Sequence, residues 1–361
     1  MPIIPASLSS TRQSRMASKV GDYRGAMRQR SAKSYLQGIA LKGWHLPTPA
    51  APTMAAMADP TNGKSPSREP YRPPKRVPPP NHRALQDAVN RYAEYHSLAP
   101  NRVQRWVAFM VLGGALSRFQ AEDHGPAFLV KGGVSLELRL RLKARATKDY
   151  DTVFRGERDK LLDALDEAFA TPYEGFTFRV TRPHQMTHMT RLDIKVEYQG
   201  KTWASIQMEV SSWEGTPLPP EEVPAISLAD FGLMGPASLP CLPLTKQVAQ
   251  KLHAMTEILA SGQPNERVRD LLDLWVLRDL APPSSVLRLI CEETFRLRQR
   301  QPWPPEIVVP PHWEAPFTEL ARSLELSIED AEDAAADVRS YVQRIVDTTE
   351  ATDEHTRHAD E

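Results

Sequence analysis

The chain has 361 residues, enough for more than one average domain, and its 45 Lys plus Arg balance 45 Asp plus Glu, which excludes any argument for a nucleic-acid partner from overall charge. Two cysteines, Cys241 and Cys291, are too few for a disulfide framework or a zinc site. The longest mostly apolar run, Trp106 to Leu116, falls well short of the roughly 20 residues that span a bilayer, and the N-terminus lacks an apolar signal core, so the sequence predicts a soluble, cytoplasmic protein with no membrane contact.

Residues 1–82 are rich in Ser, Ala, Pro and basic side chains and end in Pro73, Pro74, Pro78, Pro79 and Pro80. Too few large apolar groups are present to offset the entropy of ordering, which predicts a disordered, basic, Pro-rich tail. A nucleic-acid arm is the sharper reading; a wrongly chosen start codon or a solvated linker is the plainer one.

From Asn81 the pattern turns helical, with one amphipathic segment from His82 to His96 and another from Pro100 to Phe119. A short apolar strand, Ala127 to Val130, is broken by Gly132 and Gly133 and followed by a helix from Val134 to Leu142. A strand from Tyr150 to Phe154 and a helix from Arg158 to Phe169 come next. Three strands follow at Thr177 to Thr181, Arg191 to Tyr198 and Trp203 to Val210, the last two with strict alternation of apolar residues. The segment from Gly215 to Pro243 is punctuated by Pro and Gly and reads as a surface crossing, whereas everything beyond Thr245 reads as helical until a charged tail after Asp347. The layout is α+β.

Three features carry chemistry. In Lys131-Gly132-Gly133-Val134-Ser135, paired glycines between strand and helix let backbone approach a ligand, and the N–H groups at the helix start suit a triphosphate, although a Gly-Gly by itself is more often only a tight turn. Asp149 and Asp151 lie two apart on a strand, so their carboxylates share a face and can share Mg²⁺; alone, the pair would read as a solvated strand edge. Glu209, on the polar face of its strand, is the expected third carboxylate, ahead of Asp193 and Glu197.

On a helix from Thr245, Lys251 stands beside the stripe Val248, Leu252, Met255 and Leu259, while Lys246 points the other way; a boundary lysine either contacts phosphate or merely snorkels. In the next helix Asp270 is flanked by apolar residues, so it needs a cation partner, either at the active site or as a salt bridge to Arg267 or a nearby lysine.

Taken in order, Leu129 to Gly133, Thr147 to Asp151, Lys246 to Lys251 and Arg269 to Leu274 resemble the AbiEii/AbiGii toxin family of nucleotidyltransferases, over about Phe128 to Leu280. The resemblance implies a polymerase-β-type nucleotidyltransferase core; with the element pattern this predicts a core with a mixed sheet over residues 83–215 and a mostly helical region over 216–348, while the charged stretch over 349–361 reads as a disordered tail. It further implies that Lys131, Gly132, Gly133 and Ser135 bind the nucleotide together with Lys246 or Lys251. Asp149 and Asp151 would hold Mg²⁺, joined by Glu209 on the strand reading above, and Asp270 would complete the site.

The expected activity is transfer of a nucleotide from an NTP to an acceptor such as tRNA, as the toxin of a toxin–antitoxin or phage-defence module with a cognate antitoxin. The alternatives are nucleotidylation of a protein side chain, or a catalytically silent module that binds nucleotide or a partner. Ordinary polymerase-β enzymes usually carry Gly-Ser where this chain has Gly132-Gly133, and Asp where Glu209 stands.

Overall fold

The computed structural model describes residues 77–141, 144–259 and 265–348. The expectations for the two tails therefore lie almost wholly outside the described residues. At the margin of the first, Pro79 is buried and its carbonyl accepts a hydrogen bond from Tyr198 Oη at 2.6 Å, so that proline is anchored to β4.

The order of elements is α1 (His82–Tyr95), α2 (Pro100–Leu116), β1 (Phe128–Val130), α3 (Gly132–Leu140), β2 (Asp149–Phe154), α4 (Leu161–Phe169), β3 (Phe176–Gln185), β4 (Met189–Tyr198) and β5 (Lys201–Ser212). Then come β6 (Glu221–Pro224), β7 (Ser238–Cys241), α5 (Leu244–Thr256), α6 (Val268–Leu277), α7 (Ser285–Arg298), α8 (Glu314–Ser323) and α9 (Ala331–Val346).

Local chemistry starts several of the helices. The Asn81 side chain accepts from Ala84 N–H at 3.0 Å and caps α1, Pro100 opens α2 where its missing N–H costs nothing, and Asp330 caps α9 by accepting from Glu332 and Asp333 N–H.

The strands form one seven-stranded mixed sheet in the order β3-β4-β5-β2-β1-β7-β6. β2 pairs with β5 in parallel and with β1 antiparallel, and β1 pairs with β7 in parallel. The period-two pattern of β4 and β5 turns Leu192, Ile194, Val196, Ile206, Met208 and Val210 inward, all at most 3% exposed, where α2 and α4 pack against the sheet. The opposite face of β2, β5 and β4 carries Asp149, Asp151, Gln207, Glu209 and Arg191, which are partly or fully exposed, while Val153 at the far end of β2 is buried against Leu129 and Leu242. The helices beyond β7 pack mainly on one another, α5 against α6 and α7, and α9 against α6, α7 and α8.

Two expectations on elements need correction. The stretch from Gly215 to Pro243 is not simply a surface crossing, because β6 and β7 extend the sheet, and β7 is buried from Leu239 to Cys241. Both are four residues long and each holds a proline, so neither shows alternation; their backbone partners are supplied by pairing with each other and with β1. The sheet thus runs past residue 215. The glycine pair, expected to precede its helix, is the first turn of α3. Both cysteines are buried free thiols. Among the described residues no helix is long and apolar enough to cross a membrane.

Candidate active site

The glycine pair and the Asp-x-Asp strand interlock. Gly132 has φ of +60°, a conformation that β-carbon-bearing residues rarely adopt, and a Cβ placed there would collide with Asp151 Oδ2. A Cβ at Gly133 would stand 2.5 Å from Thr147 Cβ. The first turn of α3 is therefore threaded between Asp151 and Thr147, and only glycine lets it come so close. In strand register Lys131 N–H donates to the Asp151 carbonyl at 2.9 Å, and the first N–H groups of α3, without intrahelical partners as at any helix start, open beside the Asp151 carboxylate.

Asp149 and Asp151 share the open face of β2, opposite Gln207 and Glu209 of β5. Among the described residues neither carboxylate is hydrogen-bonded or ion-paired to another side chain. Burial pushes the Asp151 carboxyl above the ordinary aspartate range; the ammonium groups of Lys131 and Lys251 oppose this, while the like charges of Glu209 and Asp149 add to it. Lys131 Nζ, just past β1, reaches over β2 and donates to Ser211 Oγ of β5 at 2.8 Å. Burial draws that ammonium below the usual lysine range, partly offset by Asp151.

Crowded hard-oxygen donors with no protein cation bonded to them fit a divalent ion such as Mg²⁺, which is commonly held by one or two carboxylates together with substrate phosphates and water. Among the described residues no group of three or more His, Cys, Asp or Glu is arranged to hold a metal by itself. Glu209 stands beside Asp151 as expected, but its Oε1 accepts from Arg191 Nε at 3.0 Å and Nη2 at 2.6 Å.

Lys251 reaches a second group of charges. Its Nζ donates to Asp270 Oδ1 at 2.6 Å and Asp273 Oδ2 at 2.8 Å, and Arg145 grips Asp273 with Nε to Oδ1 at 3.0 Å and Nη2 to Oδ2 at 2.9 Å. Burial lowers the affinity of Lys251 for its proton, but the two carboxylates outweigh that and hold the ammonium above the ordinary range. Both Lys251 and Arg145 lie close enough for their charges to act on Asp151. The partner expected for Asp270 is thus chiefly Lys251, with exposed Arg267 a more distant 3.8 Å away.

Two expected nucleotide contacts are turned elsewhere. Lys246 is 2% exposed and bonded to Glu293 of α7 at 2.9 Å, because five residues along a helix rotate a side chain about 140° away from Lys251. Ser135 is 0% exposed, its hydroxyl accepting from Gln247 Nε2 at 2.9 Å and from Arg139.

Sequence reasoning missed the supports of the loop before β2. Glu137, 3% exposed, accepts from Trp106 Nε1 at 2.9 Å and Thr147 N–H at 3.1 Å, while Arg102 and Arg105 donate to the carbonyls of Ala144 and Thr147. A charged residue inside the apolar pattern of α3 was the one available signal. Arg145 and Asp273, 128 positions apart, offered none.

Residues 114–355, well over half of the chain, match the family described as nucleotidyl transferase AbiEii toxin, type IV TA system. Among solved structures the chain is similar to MenT4, a nucleotidyltransferase toxin from Mycobacterium tuberculosis H37Rv, at 19% identity and a TM-score of 0.46, covering 72% of this chain and 98% of that one. It also matches ANT(2″)-Ia in complex with adenylyl-2″-tobramycin, at 14% identity and a TM-score of 0.31, over 54% of this chain and 98% of that one. No curated protein sequence matches. The motif order along the chain and the family match agree: the chain belongs to the AbiEii nucleotidyltransferase toxin family and is a nucleotidyltransferase.

Proposed function

We propose that Asp149, Asp151 and the start of α3 form the site at which an NTP gives up its nucleotide to an acceptor hydroxyl. The observation that carries this reading is the seating of Gly132 against Asp151, which puts an anion-binding helix start beside a carboxylate pair that has no protein partner among the described residues. Asp149 and Asp151 would hold Mg²⁺, which supplies charge neutralisation at the phosphates. Glu209, shared with Arg191, flanks that pair.

The N–H groups of Gly132 and Gly133 bind phosphate oxygens, and Lys131 and Lys251 add positive charge on either side. The acceptor oxygen bonds to the α-phosphorus, the bond from that phosphorus to the bridging oxygen breaks, and pyrophosphate leaves as the hydroxyl proton is released. Asp270 keeps Lys251 charged and in place. Lys246 and Ser135 hold neighbouring helices together in this reading.

For the acceptor we favour tRNA. Arg191, Lys195 and Arg179 lie on the open sheet face next to the carboxylates, which suits a phosphate-bearing chain. A protein antitoxin is the expected partner. The core runs from residue 83 into β7 and the helical region follows it.

The test is incubation of the purified protein with each labelled NTP, Mg²⁺, and either tRNA or a protein extract as acceptor. Label in tRNA with release of pyrophosphate, lost in Asp149→Asn and Asp151→Asn, supports the reading. Label in protein alone moves the acceptor to a side chain, and no pyrophosphate from any NTP overturns transfer at this site. Induced in bacteria, the wild type should arrest growth and Lys251→Ala should not; a harmless wild type would refute the toxin role.

A further inference from the structure

We propose that Arg145 is a positioning residue for nucleotide binding, acting through Asp273 on Lys251; this rests on the reading above, which makes Lys251 a phosphate-binding cation. Lys251 is bonded to two carboxylates, Asp270 and Asp273. By themselves these three groups carry one net negative charge, enclosed beside Asp149 and Asp151, where a triphosphate has to arrive. Arg145 cancels it.

The geometry makes this more than a count of charges. The guanidinium grips Asp273 with two parallel bonds, which fixes the plane of the carboxylate and keeps Oδ2 turned to Lys251 Nζ. Asp273 is 3% exposed, so solvent cannot do the same. Burial opposes ionisation of Asp273, yet Lys251 and Arg145 together hold its carboxyl below the ordinary range. Arg267 cannot stand in, since it is exposed and faces Asp270 from 3.8 Å.

The other end of Arg145 is anchored as firmly. Its neighbours Ala144 and Thr147 are bonded through their carbonyls to Arg102 and Arg105 at 3.0 Å each, and Thr147 N–H to Glu137. Four residues on, the same backbone becomes Asp149. Arg145 therefore ties the segment that delivers the metal-binding aspartates to α6, whose Asp270 and Asp273 hold the phosphate-binding lysine of α5, and sets the segment and the lysine at a fixed relation.

The experiment compares the wild type with Arg145→Met, Arg145→Lys and the double variant Arg145→Met with Asp273→Asn, each as the full chain. The readouts are calorimetric binding of inorganic tripolyphosphate with Mg²⁺, which needs no knowledge of the base, KM and kcat for the NTP used, and melting temperature. Arg145→Met should weaken tripolyphosphate binding and raise KM about tenfold, the order expected of one uncompensated charge near a partly screened site, with kcat changed much less. Arg145→Lys, which keeps the charge but not the fork, should fall between.

The double variant restores neutrality without the guanidinium, so it should recover most of the lost affinity. If Arg145→Met does not fold, the same decision falls to Arg145→Lys and the double variant. Unchanged affinity in Arg145→Met overturns the proposal, as does a double variant no better than Arg145→Met, which would mean that Arg145 meets the phosphates itself. A wild type that binds tripolyphosphate but transfers no NTP would instead refute the transfer reading, and the binding arm would still decide the role of Arg145.

Discussion

Helix α5 carries two ion-paired lysines of equal charge, Lys246 buried and Lys251 partly buried, that end in different surroundings. Lys246 meets Glu293, whose carboxylate also accepts from the Thr216 N–H at 2.9 Å and hydroxyl at 2.6 Å, so its acceptors are spent inside the fold. Lys251 meets Asp270, Asp273 and, through Asp273, Arg145, and this group lies near Asp151, a carboxylate without a protein partner among the described residues. Ion pairing is common to both. On the proposed reading, what separates the structural pair from the functional one is whether an adjoining charge is left for a ligand to satisfy.

The sharpest way to break this comparison is at the unsatisfied charge. Asp151→Asn should reduce transfer on the order of a thousandfold while leaving the melting temperature equal or higher, because a crowded, partly desolvated carboxylate is being relieved. Incorporation assays and thermal melts on the same preparation check it; a large drop in melting temperature would make Asp151 structural.

Lys251→Met should come next, losing about a hundredfold in transfer and about 3 kcal/mol in stability, since two buried carboxylates are left with one cation. Denaturant unfolding beside kinetics would expose a merely structural lysine as one that loses stability but keeps KM.

Lys246→Met should cost about 2 kcal/mol, less than a fully enclosed pair because Glu293 keeps its Thr216 bonds and some solvent, and should leave KM for the NTP unchanged. A pH effect accompanies it. Burial favours the neutral Glu293, but the Thr216 hydroxyl and Lys246 outweigh this and hold the carboxyl below the ordinary glutamate range. A depressed folded value gives stability that is present above the unfolded value of about 4.3 and is lost as pH falls through the folded one. Removing Lys246 should therefore move acid unfolding to higher pH; a raised KM instead would return Lys246 to the nucleotide.

Glu209→Gln is expected to change transfer by less than about fivefold and to leave the melting temperature nearly unchanged, since Arg191 already engages that carboxylate. A loss matching that of Asp151→Asn would make Glu209 an essential third ligand.

The chain by itself determined the parts of this protein that depend on near neighbours. Alternation in β4 and β5, helical spacing in α1, α2 and α5, and the two-residue step from Asp149 to Asp151 are local rules, and each was legible. The order of the motifs was enough to imply the family. Strands β6 and β7 were not legible, because four residues with a proline carry no pattern and pair only through strands distant in sequence. The requirement for glycine at position 132 became explicable only once Asp151 was seen against it, and the separate fates of Lys246 and Lys251 depended on which helices came to pack on each side of α5. Arg145 and Asp273 show the limit most clearly: a salt bridge across 128 positions is decided by how loop and helix are brought together in space, and nothing in the residues around either one records it.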